Sequence, residues 1–96
     1  MKRELLQTPA FVRAANRFLK RHPEAVEPVA ITLELMETDL FDPRLRTHKL
    51  KGELAGSWAC SGGYDIRIVF RLVPRTAEDA SETVALLAIG SHEDVY

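Results

Sequence analysis

A two-layer α+β fold, with two N-terminal helices packed on a small antiparallel sheet, is the architecture this sequence predicts. Three observations carry it. The first forty residues repeat apolar side chains at helical spacing, Tyr64 to Leu72 alternates apolar and charged residues with a period of two, and Val84 to Ile89 is a near-continuous apolar run. Helices first and strands afterwards is the order of an α+β domain in which the helices cover one side of the sheet.

The elements follow in order. Arg3 to Thr8, with Leu5 and Leu6 between charged flanks, reads as a brief first strand. Thr8-Pro9 is a helix start, because a threonine caps the first turn and a proline at the first helical position gives up a donor that has no partner there. Phe11, Ala14, Ala15, Phe18 and Leu19 then form an apolar stripe, with most of the basic residues elsewhere on the wheel, and His22-Pro23 ends the helix. A second helix is expected from about Pro23 or Glu24 to Thr38, burying Val26, Val29, Leu33, Met36 and Leu40; Pro28 either begins it or kinks it. Phe41 to Leu45 carries an Asp-Pro turn signal, and Arg46 to Glu53 is a basic segment, extended or looped, with Leu50 as its apolar anchor.

Tyr64, Ile66, Ile68, Phe70 and Leu72 would face a core while Asp65, Arg67 and Arg71 face outward. Ser57 to Cys60 is a shorter extended run before them, and Gly62-Gly63 supplies the permissive backbone of a tight hairpin. A two-residue Gly62-Gly63 turn would put Trp58 and Cys60 on the polar side with Asp65 and Arg67. A three-residue Ser61 to Gly63 loop puts them beside Tyr64 and Ile66, and we prefer it because a one-residue slip would take a tryptophan out of the core. Asp65, Arg67 and Arg71 then line one open face with Ser61 at its rim. Pro74 to Ser81 is a polar loop, Val84 to Ile89 a strand buried on both faces, and Gly90 its end.

With 96 residues the chain has length for one core, so residues 1–96 read as a single domain. Its composition, 46% hydrophobic and 28% charged, is that of a soluble protein, and no apolar run approaches the roughly 20 residues of a membrane span. A signal-peptide pattern is absent, and the single Cys60 fits a reducing compartment, so a cytoplasmic location is expected with no membrane partner. A net charge of -1 argues against a generic nucleic-acid binder. The charge is uneven, however: from Arg44 to Arg75 the cations Arg44, Arg46, Lys49, Lys51, Arg67, Arg71 and Arg75 face only Glu53 and Asp65, which predicts a basic face on a nearly neutral molecule.

Histidine titrates near neutrality, so His48 in the basic segment and His92 just past the last strand, near Asp65 and Arg67, would move protons around a phosphate held by cations. His22, at a helix junction, has a capping or surface role. A zinc site from Cys60, His48 and His92 lacks a closely spaced ligand pair, and no nucleophile elbow, P-loop or dinucleotide fingerprint is present; neither metal nor cofactor is expected.

Helix-helix-strand order followed by HKLKGELAGSW, SGGYDIRIVFRL and a C-terminal LLAIGSHEDVY resembles the RelE/ParE superfamily of bacterial type II toxin-antitoxin toxins, and its YafQ-like branch in particular. The resemblance implies an mRNA interferase, a ribosome-dependent endoribonuclease that cuts messenger RNA in the A site by attack of the ribose 2′-hydroxyl. It would be held inactive by a cognate antitoxin and would meet operator DNA only through that partner. His48, Asp65, His92 and Tyr96 fall where YafQ-like toxins place a histidine, an aspartate, a histidine and an aromatic, and Arg67 falls where the RelE branch places an arginine. The resemblance makes His48 and His92 the proton-transfer groups, Asp65 an orienting group and Arg67 the stabiliser of the phosphorane. Arg46, Lys49, Lys51, Ser61 and Arg71 would bind RNA, and Tyr96 would stack on a base. Ser61 departs from the pattern, standing where YafQ-like proteins usually carry a further histidine, so one acid-base group is either absent or replaced by His48. The alternatives are a toxin-fold module that binds its antitoxin without cleaving, and a ParE-like inhibitor of DNA gyrase.

Overall fold

The computed structural model describes residues 3–63, 65–75 and 81–91. Strand β1 (Glu4–Gln7) leads into helix α1 (Pro9–Arg21), a 3-10 turn at Pro23–Ala25 and helix α2 (Val26–Thr38). A second 3-10 turn at Pro43–Leu45 precedes strand β2 (His48–Lys49), a third at Gly52–Leu54 follows it, and β3 (Trp58–Gly62), β4 (Ile66–Pro74) and β5 (Glu82–Gly90) complete the fold. The five strands lie in the order β1-β5-β4-β3-β2. The α+β class is as expected. The sheet is mixed rather than wholly antiparallel, because β1 runs parallel to β5 while the other neighbours are antiparallel. The two helices between β1 and the later strands allow that crossover.

Helix α1 begins as its sequence dictates. The Thr8 hydroxyl accepts from the Phe11 amide at 3.2 Å and donates to the Leu86 carbonyl at 2.6 Å, so one side chain caps the helix and ties it to β5. Phe11 and Phe18 are buried against the sheet, and the His22 amide closes the helix on the Phe18 carbonyl. Pro28 starts a helix rather than kinking one: it lies in the first turn of α2, where no amide donor is needed. The expected phase of α2 needs two corrections. Val26 is 55% exposed, because the preceding 3-10 turn puts Ala25 into the core in its place, and Thr32 is buried, its hydroxyl satisfied by the Pro28 carbonyl at 2.8 Å. Val29, Met36 and Leu40 are buried and Leu33 packs at the core margin, as expected.

The β3-β4 hairpin keeps the expected faces with a different register. Trp58 and Cys60 share the helix-facing side with Ile66, Ile68 and Phe70, but Cys60 sits opposite Ile68, and Ser61 and Gly62 are paired strand residues rather than part of the turn. The cause lies in α2. Gly62 is a strand residue whose missing side chain leaves room for Thr32, since a Cβ there would overlap the threonine hydroxyl. The turn's left-handed residue is therefore Asp65, with φ 54°, a conformation that aspartate tolerates better than most residues. Asp65 thus belongs to the turn and not to the outward row of the strand. Tyr64, expected to open that strand, lies outside the described residues.

Core residues from all layers meet on the helix side, where Phe11, Phe18, Met36, Ile66, Phe70 and Leu86 are each at most 2% exposed. Cys60 belongs to this cluster, and burial pushes its thiol up to about 12, which keeps it an inert packing residue. Among the described residues no helix is long and apolar enough to cross a membrane.

Candidate functional site

Residues paired across neighbouring strands share a face, so the register assigns the open side of the sheet. His48 pairs with Ala59, Ala59 with Val69, and Val69 with Ala88, giving one row; Ser61, Arg67 and Gly90 form the next. Arg71 pairs with Ala85 in a third row farther from the hairpin turn. The floor is made of short side chains: Ala59, Val69 and Ala85 are 0%, 5% and 8% exposed. A shallow surface with an imidazole at one edge and two guanidinium groups along its length is suited to a polyanion.

Within this face Arg67 is the best-held cation. It is central in the sheet, its Nη1 lies 3.7 Å from an Asp65 oxygen, and its side chain is only 25% exposed. Arg71 is more open and donates from Nε to the buried Ser57 hydroxyl at 3.4 Å, which links the strand to the loop before β3. Ser61 lies on the same row as Arg67, but its hydroxyl donates to the Leu45 carbonyl at 3.4 Å.

His48 has a defined tautomer. Its Nδ1 is 2.8 Å from the Arg46 carbonyl oxygen, and a carbonyl only accepts, so Nδ1 carries the proton and the neutral ring presents an unprotonated Nε2. Arg46 places that carbonyl by adopting the left-handed region, with φ 52°. Sequence reasoning finds the histidine and misses this contact, because its only signal is a backbone conformation.

The predicted basic set divides. His48, Arg67, Arg71 and Ser61 share the open face, and Asp65 stands at the hairpin turn beside Arg67. Lys49 does not join them. Alternation along β2 turns it to the helix side, where it pairs with Trp58 and holds its Nζ 5.4 Å from the centre of the indole ring. Arg46 and Lys51 are exposed in the segments flanking β2. Two other cations of the segment are tied to acids outside it. Arg44 makes a two-pronged pair with Asp42 at 2.9 and 3.0 Å, and Arg75 lies 3.3 Å from Glu4. The Arg44 side chain and amide hold the Asp42 carboxyl down at about 2. The basic excess of residues 44–75 is therefore smaller on the surface than in the sequence. His92 and Tyr96 lie outside the described residues. Among the described residues no cluster of histidine, cysteine, aspartate or glutamate is arranged to hold a metal, and Cys60 and His48 point to opposite faces of the sheet.

No protein-family model and no curated relative matches the chain. Solved structures do. YafQ from E. coli strain BL21(DE3) superposes with a TM-score of 0.68 at 14% identity over 99% of both chains. The E. coli DinJ-YafQ toxin-antitoxin complex gives 0.72 at 10% identity over 100% of this chain and 99% of that one. The Agrobacterium tumefaciens YoeB/ParE toxin gives 0.68 at 17% identity over 93% and 98%. Over its described residues the chain has the fold of these toxin structures.

Proposed function

We propose that this chain is the toxin of a type II toxin-antitoxin pair, and that residues 1–96 act as one ribosome-dependent endoribonuclease domain. The observation that carries the reading is the open face itself, where Arg67 is fixed at the sheet centre over a floor of small side chains, with a tautomer-defined imidazole on the same face. Its likeness in fold to YafQ and YoeB/ParE toxins supports the reading, and the toxin-antitoxin complex among those structures supports an antitoxin partner.

Messenger RNA would lie along the open face with its scissile phosphate against Arg67. The Nε2 of His48 accepts the proton of the ribose 2′-hydroxyl as that oxygen attacks phosphorus. Arg67 stabilises the added charge on the phosphorane, which forms in a setting where hydrogen-bond donors are already in place. The bond to the 5′-oxygen then breaks as a general acid gives that oxygen a proton, leaving a 2′,3′-cyclic phosphate and a free 5′-hydroxyl. We assign the acid to His92, the charge that steadies Arg67 to Asp65, and base stacking to Tyr96. Arg46, Lys51 and Arg71 contact neighbouring phosphates, and Ser61 packs beside Arg67 without taking part in proton transfer. In this scheme cleavage uses neither metal nor cofactor, and operator DNA is reached only through the antitoxin, in the cytoplasm.

A translation extract supplied with a defined message tests this. Wild-type protein should give ribosome-dependent cuts, and His48→Gln, which cannot accept the 2′-hydroxyl proton, should slow them by about 10²- to 10⁴-fold. Intact message with folded wild-type protein would leave the binding-only reading, which Ser61 in place of a further imidazole favours.

A further inference from the structure

On the reverse side of β2 from His48 lies a cleft of about 360 Å³, lined by Lys49, Leu50, Gly56, Ser57, Trp58, Leu72 and Glu82. That is more than twice the volume of a dry ~150 Å³ cavity that takes up benzene, so it has room for about two bulky apolar side chains. Trp58 and Leu72 form apolar wall at the margin of the core, while Lys49 and Glu82 supply one charge of each sign. From this we infer that the cleft is an anchor for a segment of a partner polypeptide, one carrying adjacent bulky apolar residues flanked by a carboxylate and a cation.

The residues favour a peptide over nucleic acid. The indole face that a base would need is already occupied by the Lys49 ammonium, 5.4 Å from the ring centre, and Phe41 meets the ring edge-on with centroids 5.6 Å apart. Trp58 is therefore wall and not stacking platform. Glu82 would repel a phosphate backbone, whereas a carboxylate on the Lys49 side and a cation on the Glu82 side match the cleft charge for charge.

A consequence concerns regulation, and it rests on the proposed function. Lys49 and His48 are successive residues whose side chains leave β2 on opposite faces. An occupant of this cleft thus gains affinity without touching His48 or Arg67, although the lining residue Ser57, whose hydroxyl accepts from Arg71, joins the cleft to the far end of the open face. Anchoring and inhibition are separable, and a partner would need a second segment to cover Arg67 and His48.

Trp58 is the only tryptophan in the chain, so its emission reports on the cleft directly. The probes are three capped hexapeptides with two central leucines between glycines, ended by one glutamate and one lysine, by two lysines, or by two glutamates. The mixed-charge peptide should saturate the emission change and bind wild type at least 5-fold more tightly than either like-charged one. Lys49→Glu, checked for folding by its melting curve, should reverse the order in favour of the two-lysine peptide. Equal affinity for all three peptides, an unchanged order in Lys49→Glu, or stronger competition by a uridine hexamer would overturn the proposal. The anchor's separateness has its own arm: message cleavage at saturating mixed-charge peptide should match cleavage without it, and a loss of more than 5-fold would refute it. An extract in which wild type never cuts overturns the nuclease reading alone, because peptide binding is read from Trp58.

Discussion

Ile66, Ile68 and Phe70 alternate with Arg67 and Arg71 along a single strand, and the two sets are governed by different terms. On the helix side the three apolar residues are fully buried against Phe11, Phe18 and Met36, so shape and exclusion of water fix them. On the open side Arg67 and Arg71 stand over Ala59, Val69 and Ala85, where keeping the floor low leaves the guanidinium groups able to meet an outside ligand. One face carries the core, and the other leaves its charged side chains open to solvent. The contrast sharpens at β2, whose two residues divide between the faces: His48 joins the arginines and Lys49 joins Trp58.

Substitutions on the covered face should act on stability first. Phe70→Ala removes a fully buried ring from the sheet interior and should cost about 3–5 kcal/mol in urea unfolding, with Cys60 becoming open to alkylation as the folded fraction falls. A cost under 1 kcal/mol would mean that the helix side is not the dominant core. Gly62→Ala should cost about 1–3 kcal/mol, since the new methyl meets Thr32. Pairing it with Thr32→Ala should recover part of that loss, and strict additivity would disprove the contact.

Smaller effects belong to the ends of elements. Thr8→Ala should cost about 1–2 kcal/mol by removing both a helix cap and the link to Leu86, while Thr8→Ser should retain most of it. The smallest effect is acid-dependent and lies off both faces. Asp42 is held down at about 2 by Arg44 against an ordinary 3.8, so its contribution is complete above the ordinary value and fades as pH falls toward 2. Asp42→Asn should therefore lower stability slightly at neutrality and flatten the acid limb between those values, so that the two proteins converge toward pH 2; an unchanged limb would contradict the pairing.

The contrast between faces also explains what could be read from the residues alone. Period-two alternation put Ile66, Ile68, Phe70, Trp58 and Cys60 on one side and Arg67 and Arg71 on the other, because burial leaves a strong mark on sequence. The turn was misplaced because Gly62-Gly63 looks like a hairpin tip, whereas Gly62 answers to Thr32 on a helix thirty residues earlier. Similarly, Val26 has the side chain of a core residue, and only the 3-10 turn that buries Ala25 displaces it. Candidate site residues were legible as types, and His48, Arg67 and Arg71 do share a face. Their surroundings were not legible: the Arg46 carbonyl that fixes the imidazole, the turn that holds Asp65 and the flip of Lys49 all depend on backbone geometry.

Arg67→Ala is the most direct measurement, read in parallel as ribosome-dependent cleavage of a defined message and as unfolding free energy. Its ion pair with Asp65 is partly exposed and should contribute at most about 1 kcal/mol to stability. Loss of a positioned phosphorane-stabilising group should slow cleavage by about 10²- to 10³-fold. Cleavage within about 3-fold of wild type in a folded Arg67→Ala protein would contradict the assignment of the open face as the site of RNA chemistry.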